Sequence, residues 1–412
     1  MRILVVNAAC MTVNSSANLC HLAYLNGLVA CGHEVTLLSA SDRDYKNDPA
    51  MQIPESVQSF TYYGLSIYEK LSMKKTGPEP KVPTASKPES VATEKCHKNA
   101  KEILKEGVRR AKKVALSFYG IHGIYSTFVR KASVFRSDIE YDYILSLSTP
   151  PASHLLAYKL LHSGHVRAKQ WIQIWEDPWY SDVYGFNRKP KIYQEEKRLL
   201  SFAQIVCYVS PLTLANQQKL FPEFADKMYW QPLPFYYKAN IDLGVEFAKN
   251  CYGYFGDYVP EARNLKPFYE AAKEVGIEVN ICGNPSNLFS STDNIHIYPR
   301  LPLDKLKPTE DRTNILIFLC NRKGGQIPGK IYQYSATNKT ILFIMDGTEE
   351  EQQVLKAFFG KFNRYVFCQN TVADIAEAIR RIEAGNLGDV QNVPLNEFDP
   401  VKTITNILEA AR

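Results

Sequence analysis

The chain has 412 residues, a length suited to two α/β domains of about 200 residues each. With 45% hydrophobic and 22% charged residues it has the balance of an ordinary globular protein, and no stretch approaches the ~18 apolar residues of a membrane span. The nine cysteines are odd in number and include no C-x-x-C pair, which argues against a disulfide framework or a structural zinc site and favours a reducing, cytoplasmic compartment.

The first half of the chain opens as a strand–helix–strand unit at residues 2–7, 17–31 and 34–39. Apolar residues recur at helical spacing from Leu19 to Val29, and Gly32 follows as a C-terminal cap. Such a unit predicts a parallel sheet. Further strands are expected at 143–147, 171–175, 205–209 and 228–232, with helices at 121–135, 152–162, 193–202 and 212–220.

An insertion at about residues 70–136 interrupts this alternation. Four prolines within residues 74–93 predict a loop, and a basic helix follows at 95–118. Residues 94–136 carry eleven Lys and Arg against three Glu, a local balance of +8, so the rest of the chain is close to neutral. We expect the basic helix, within residues 94–118, to bring the protein to an anionic membrane surface, on the inner face of the membrane. A solvated helix packed on its domain is the alternative, and nucleic acid is not expected because no reader module is recognisable.

The second half repeats the strand–helix alternation after a linker at residues 235–250. Strands are expected at 252–255, 278–282, 295–297, 315–319, 340–345 and 365–368, with helices at 265–275, 330–336, 349–359, 372–383 and 401–411. We therefore predict an α/β protein with two Rossmann-like, doubly wound parallel-sheet domains, residues 1–235 and 236–397, that face a central cleft. The last helix, within 398–412, is expected to pack back on the first domain. Ligands of such sheets bind at the carboxyl ends of the strands.

Residues 321–330, NRKGGQIPGK, show the clearest chemistry, because they join a predicted strand to a predicted helix. Glycines let the backbone approach a ligand, and a helix N-terminus presents unpaired N–H groups. Lys330 and Arg322 add full charges, which is what a diphosphate needs. A plain glycine-rich turn with a solvated lysine is the alternative.

The same segment matches most of a P-loop, but it fails at two positions. Ile331 has no hydroxyl to hold Mg²⁺, and Pro328 removes one N–H donor. A P-loop-like NTPase is therefore the weaker alternative.

Residues 325–342, GQIPGKIYQYSATNKTIL, resemble the donor-site signature of GT4-like retaining glycosyltransferases. Three further segments resemble the same family in the same order along the chain: residues 18–35 (ending GHEV), 141–151 (YDYILSLSTPP) and 175–179 (WEDPW). The resemblance implies the GT-B fold, transfer of a sugar from a nucleotide-sugar donor, retention of configuration, and no metal or other cofactor.

The loop and the resemblance together place donor and phosphate binding at eight residues. They are Arg263, Gly283, Arg322, Gly325, Gln326, Gly329, Lys330 and Gln333. The family's Glu-x7-Glu pair falls here on Gly325 and Gln333, and Gln333 can bond a ribose only without charge assistance. The missing pair supports a competing hypothesis, a non-catalytic nucleotide-sugar-binding partner in polysaccharide assembly.

On the acceptor side we single out Asp177, Trp175, Trp179 and Asn18. Asp177 ends a predicted strand, where an acid can take the proton of an acceptor hydroxyl. The tryptophans are expected to form an apolar wall for a sugar or lipid; an Asp-Pro turn between packed aromatics is the alternative. The expected acceptor is a growing polysaccharide or a lipid-linked oligosaccharide. No His, Cys or carboxylate cluster has metal-ligand spacing, so no metal is predicted.

Overall fold

The structure, a computed structural model, describes residues 1–41, 47–64, 120–185, 189–236 and 249–411. Within these ranges the chain forms two parallel sheets, one in each half, which confirms the predicted fold class. Most strands are nearly continuous apolar runs, such as ILIFL at Ile315–Leu319, because both faces of a parallel sheet are covered. The basic segment 94–118 and most of the predicted linker lie outside the described residues.

The first half builds a sheet whose strands are β1 (Arg2–Asn7), β2 (Glu34–Ala40), β3 (Gln58–Tyr62), β4 (Glu140–Ser148), β5 (Arg167–Trp175), β6 (Ile205–Tyr208) and β7 (Met228–Trp230). Its described helices are α1 (Ser16–Ala30), α2 (Ser126–Ala132), α3 (Ala152–His162), α4 (Pro190–Phe202) and α5 (Pro211–Leu220). The strands lie in the order β3-β2-β1-β4-β5-β6-β7.

The second half builds a sheet whose strands are β8 (Cys251–Phe255), β9 (Glu278–Cys282), β10 (Ile295–Tyr298), β11 (Ile315–Leu319), β12 (Thr340–Met345) and β13 (Tyr365–Gln369). Its described helices are α6 (Lys266–Val275), α7 (Leu303–Asp311), α8 (Lys330–Ser335), α9 (Glu349–Gly360), α10 (Val372–Glu383) and α11 (Pro400–Glu409). The strands lie in the order β10-β9-β8-β11-β12-β13.

The strand order reverses once in each sheet. In the first sheet β1 lies between β2 and β4, and in the second sheet β8 lies between β9 and β11. The crevices at the carboxyl ends of these strands are the places where such sheets bind ligands. The glycine-rich loop follows β11 and therefore lies at the crevice of the second sheet.

The two halves are joined by packing as well as by the chain. One apolar cluster includes buried residues of both sheets. Helix α11 lies on α1, and a Cβ added to Gly27 would lie 2.4 Å from the Pro400 carbonyl oxygen, so only glycine permits this approach. The Phe235 N–H donates to the Phe398 carbonyl at 2.9 Å, which fastens the start of the linker to the segment before α11.

Candidate active site

The glycine-rich loop has a backbone conformation that requires its glycines. Gly324 and Gly325 have φ angles of +96° and +72°, in the left-handed region that other residues rarely adopt. The Asn321 side-chain amide donates to the Gln326 carbonyl at 3.1 Å and closes the loop. A Cβ on Gly325 would lie 2.8 Å from the Cβ of Leu212. Gly325 stands at the first position of the family's glutamate pair, and its close packing against α5 leaves no room for a side chain there.

This loop of the second half is held by hydroxyl groups of the first half. The Ser210 and Thr213 hydroxyls, at the start of α5, both donate to the Gly325 carbonyl. The Tyr184 hydroxyl donates to the Lys323 carbonyl at 2.8 Å. The structure is therefore closed at this point of the cleft.

Asp177 meets the glycine-rich loop directly. Gln326 Nε2 donates to Asp177 Oδ1 at 2.7 Å, and the Thr149 hydroxyl donates to Oδ2 at 3.4 Å. Gln326 Nε2 also lies 3.4 Å from an oxygen of Asp182. Burial, followed by the charges of Glu176 and Asp182, raises the pKa of Asp177 to about 7. A carboxyl group with such a pKa can accept a proton near neutral pH.

Two of the three predicted basic residues lie near the two ends of the glycine-rich loop. Arg263 follows β8, and its Nε donates to the Asn321 side-chain oxygen at 2.9 Å. Lys330 begins α8, and its Nζ lies 3.0 Å from Glu310 Oε1, at the end of α7. The Lys330 side chain is 34% exposed. Its pairing with a carboxylate shows that this position accepts a negatively charged partner.

Three other predicted donor residues have local partners. Arg322 is exposed, and its Nη1 donates to the Pro260 carbonyl at 3.3 Å. At Gly283 a Cβ would lie 1.9 Å from the Gly256 carbonyl oxygen, so this glycine is needed where two backbones pass each other. Gly329 precedes α8, and its Cβ position has only ordinary contacts.

Gln333 faces the linker between the two halves. Its side-chain oxygen accepts the Tyr236 N–H at 3.0 Å, and the Tyr236 hydroxyl donates to the Ala50 carbonyl at 2.6 Å. A ribose that bonded this oxygen would have to share it with the linker or displace the linker.

The predicted apolar wall of the acceptor side must be corrected. Trp175 is 0% exposed and its ring packs on His154, with 4.2 Å between the centroids. Trp179 is 6% exposed and belongs to the same apolar cluster. Asn18 is buried as well, and its amide donates to the Cys10 and Val13 carbonyls. Trp175 and Trp179 are therefore core residues, and Asn18 shapes the loop before α1.

A buried carboxyl group that the sequence analysis missed holds the Asp177 loop in place. Glu196, on α4, accepts the Tyr180 N–H at 2.6 Å and the Trp179 N–H at 3.5 Å. Burial raises the pKa of Glu196 to about 7. Gln217 adds a second anchor through the Ser181 hydroxyl, at 2.9 Å.

A cavity of about 10 Å³ lies beneath the glycine-rich loop, between β11 and α9. It is large enough for about one water molecule. A nucleotide-sized ligand that binds at this loop must therefore separate some of the contacts between the two halves.

Across the described ranges, no set of three or more His, Cys, Asp or Glu side chains is arranged to hold a metal ion. None of the helices in that part of the chain is long and apolar enough to cross a membrane.

The two facing sheets have the arrangement of the GT-B fold, and solved glycosyltransferases share it. A sucrose-phosphate synthase from Thermosynechococcus elongatus matches with a TM-score of 0.54 at 13% identity, over 100% of this chain and 96% of that one. The apo form of the lipopolysaccharide outer core galactosyltransferase WaaB matches with a TM-score of 0.51 at 11% identity, over 100% of this chain and 99% of that one. A glycosyltransferase from Rickettsia africae ESF-5 matches with a TM-score of 0.51 at 12% identity, over 100% of this chain and 98% of that one. At such identities the similarity establishes the fold alone. No protein-family model and no curated protein matches the sequence.

Proposed function

We propose that the protein is a glycosyltransferase that moves a sugar from a nucleoside-diphosphate sugar to a glycan or lipid-linked acceptor. The observation that carries this proposal is the 2.7 Å contact between Asp177 of the first half and Gln326 of the glycine-rich loop. It brings a half-buried acid to the loop that ends at Lys330 and whose first residue, Asn321, accepts a hydrogen bond from Arg263.

The two sides of the cleft have different tasks in this reaction. The bond between the sugar and the diphosphate breaks, and the diphosphate leaves with the electron pair. Lys330 and Arg263 balance the charge that develops on it. The acceptor oxygen bonds to the sugar and passes its proton to Asp177. Retention of configuration, a GT4-like subclass and independence of a metal ion belong to the same proposal and rest on the sequence resemblance.

A panel of nucleotide sugars tests the proposal, with release of the nucleoside diphosphate as the readout and water as the default acceptor. We expect release from at least one donor, and we expect it to persist in EDTA. Binding of a nucleotide sugar without turnover of any donor would instead support the non-catalytic assembly partner. A strict requirement for Mg²⁺ would count against the metal-independent reaction.

The proposal includes a cytoplasmic site of action at an anionic membrane. Its support is the local charge balance of +8 in residues 94–136. Vesicle co-sedimentation should require acidic lipid and weaken with salt, because exposed charges are screened over ~8 Å at physiological ionic strength. Reversal of Arg109, Arg110, Lys112 and Lys113 to Glu should abolish it, and equal binding to neutral vesicles would exclude an electrostatic mode.

A further inference from the structure

A buried polar chain lies behind Asp177, between β1, α1 and the end of β5. Its members are Asn7, His21 and Glu176, and the proposed reaction gives none of them a role. Asn7 and His21 are fully buried, and Glu176 is 9% exposed. Polar groups are costly in such a place unless they satisfy one another.

The contacts of Asn7 define which nitrogen of His21 carries the proton. Asn7 Oδ1 accepts the Ala9 N–H at 3.0 Å, so the amide nitrogen is the atom that faces His21 Nδ1, at 2.9 Å. An amide nitrogen only donates. Nδ1 is therefore the acceptor, and the proton of the neutral ring lies on Nε2.

His21 Nε2 points toward Glu176. It lies 3.3 Å from Glu176 Oε1, an ion-pair contact that is not a regular hydrogen bond, and neither atom has a hydrogen-bond partner. The Nε2–H group is thus the polar group of His21 that faces the carboxyl group of Glu176. Because Asn7 Nδ2 faces Nδ1, the ring hydrogen that His21 presents to the acids is the one on Nε2.

We propose that Asn7 and His21 are positioning residues for Glu176, and that the negative charge of Glu176 makes its neighbour Asp177 a proton acceptor suited to neutral pH. This inference rests on the proposed function, in which Asp177 takes the proton of the acceptor.

The electrostatic surroundings of Asp177 support this assignment. Glu176 is the second cause, after burial, of the raised pKa of Asp177, and Asp182 is the third. Two further titratable groups face the acids from α1, Cys20 and Tyr24. Burial raises the pKa of both well above the ordinary values, so they stay neutral near pH 7.

Two hydrogen bonds act in the opposite direction. Thr149 and Gln326 both donate to Asp177 and lower its pKa. Since Gln326 belongs to the loop that must move when a donor binds, the charge of Glu176 is the influence that stays in place through the reaction.

Glu176→Gln tests the proposal through the pH dependence of kcat/KM for donor turnover. In the wild type the rate should fall as pH decreases through about 7, because Asp177 becomes protonated. Removal of the neighbouring charge should move this acidic limb down by roughly half a unit to one unit. An unmoved limb in a folded Glu176→Gln variant would overturn the proposal. Absence of turnover in the wild type would instead count against the proposed function.

Glu196→Gln is the matched control. It removes another buried acid of raised pKa, whose contacts are the backbone N–H groups of Trp179 and Tyr180. We expect its acidic limb to stay at the wild-type position, even if the rate itself changes. An equal shift in both variants would mean that general loosening of the loop, rather than the charge of Glu176, moves the limb.

A second measurement needs neither turnover nor a variant at Glu176. Nitrogen-15 NMR of the histidines in the wild-type chain reads the tautomer of His21, and His21→Gln assigns its signal. We expect the tautomer that is protonated on Nε2, with Nδ1 as the acceptor. A ring protonated on Nδ1 would overturn the proposal even if Glu176→Gln does not fold.

Discussion

The two sides of the cleft hold their charges in different ways. On the first-half side the acids Glu176, Asp177 and Glu196 are largely enclosed, and their contacts are amide, hydroxyl, imidazole and backbone N–H groups. On the second-half side Lys330 is about one-third exposed and pairs with a carboxylate, and Arg322 is exposed.

This difference separates two kinds of chemistry. Enclosure changes how strongly an acid holds its proton, because a low dielectric disfavours the charged form. A cation near solvent keeps its charge and can exchange one anionic partner for another at small cost. The first half is therefore suited to proton transfer, and the second half to binding and releasing an anion.

The largest expected effect follows from Asp177→Asn. The amide fills the same space but cannot take a proton, so donor turnover should fall roughly 10²–10⁴-fold. Affinity for the nucleoside diphosphate, measured by calorimetry, should stay within about twofold. If affinity and turnover fell together by the same factor, Asp177 would belong to donor binding.

Lys330→Ala, in contrast to Asp177→Asn, should act mainly on the affinity for the nucleoside diphosphate. Loss of a charge-assisted contact should weaken binding of the nucleoside diphosphate by about 1.5–3 kcal/mol, as measured by calorimetry. Lys323→Ala is the matched control, because it removes the same charge from an exposed position of the same loop. Equal losses in both variants would point to the net charge of the loop rather than to a contact made by Lys330.

Glu196→Gln should change stability in a pH-dependent manner. Glu196 has a pKa of about 7 in the folded chain, above the ~4.3 of an unfolded glutamate. Between these values the folded chain binds the extra proton, so the free energy of unfolding falls as pH rises from about 4 to 7.

The glutamine keeps the acceptor oxygen but does not titrate. The difference in the free energy of unfolding between the variant and the wild type should therefore shift in favour of the variant by on the order of 2 kcal/mol between pH 4 and pH values above 7. Urea unfolding at pH 5 and pH 8 measures the difference. The exposed Glu223→Gln is the control and should show little of this dependence. A pH dependence identical to that of the wild type would show that Glu196 is ionised throughout.

Glu310→Gln should give the smallest effect. It removes the carboxylate that pairs with Lys330 at 3.0 Å, so an incoming diphosphate no longer competes with it. Affinity for the nucleoside diphosphate should rise about two- to fivefold, the scale of a partly exposed ion pair. In a Lys330→Ala background the gain should vanish, and a gain that persisted there would mean that Glu310 acts on the ligand directly.

The sheets could be predicted from the sequence because buried parallel strands are recognisable apolar runs, but two elements were missed. Strand β3, QSFTY, lies at the edge of its sheet and is largely exposed, so it lacks that signal. Helix α7, LDKLKPTED, is mostly polar and contains Pro308, which argues against a helix in sequence.

The candidate site could be predicted only in its separate parts. Asp177 and the loop at 321–330 were each recognisable from local sequence, but their contact joins residues 149 positions apart. Glu176 and Glu196 resemble any surface glutamate in sequence, since only tertiary packing buries them. Trp175 was misassigned for a related reason: both faces of β5 are covered, so an aromatic residue next to an acid does not indicate an open surface.

The central claim is that both sides of the cleft act on the same bound donor. A structure of the complex with the nucleoside diphosphate tests this claim most directly. We predict that Lys330 Nζ leaves Glu310 and contacts a phosphate oxygen, and that Arg263 reaches the same diphosphate. We also predict that the hydrogen bond between Gln326 and Asp177 is broken, so that Asp177 faces the space beyond the terminal phosphate. A diphosphate bound away from the glycine-rich loop, with Lys330 still paired to Glu310, would contradict the account.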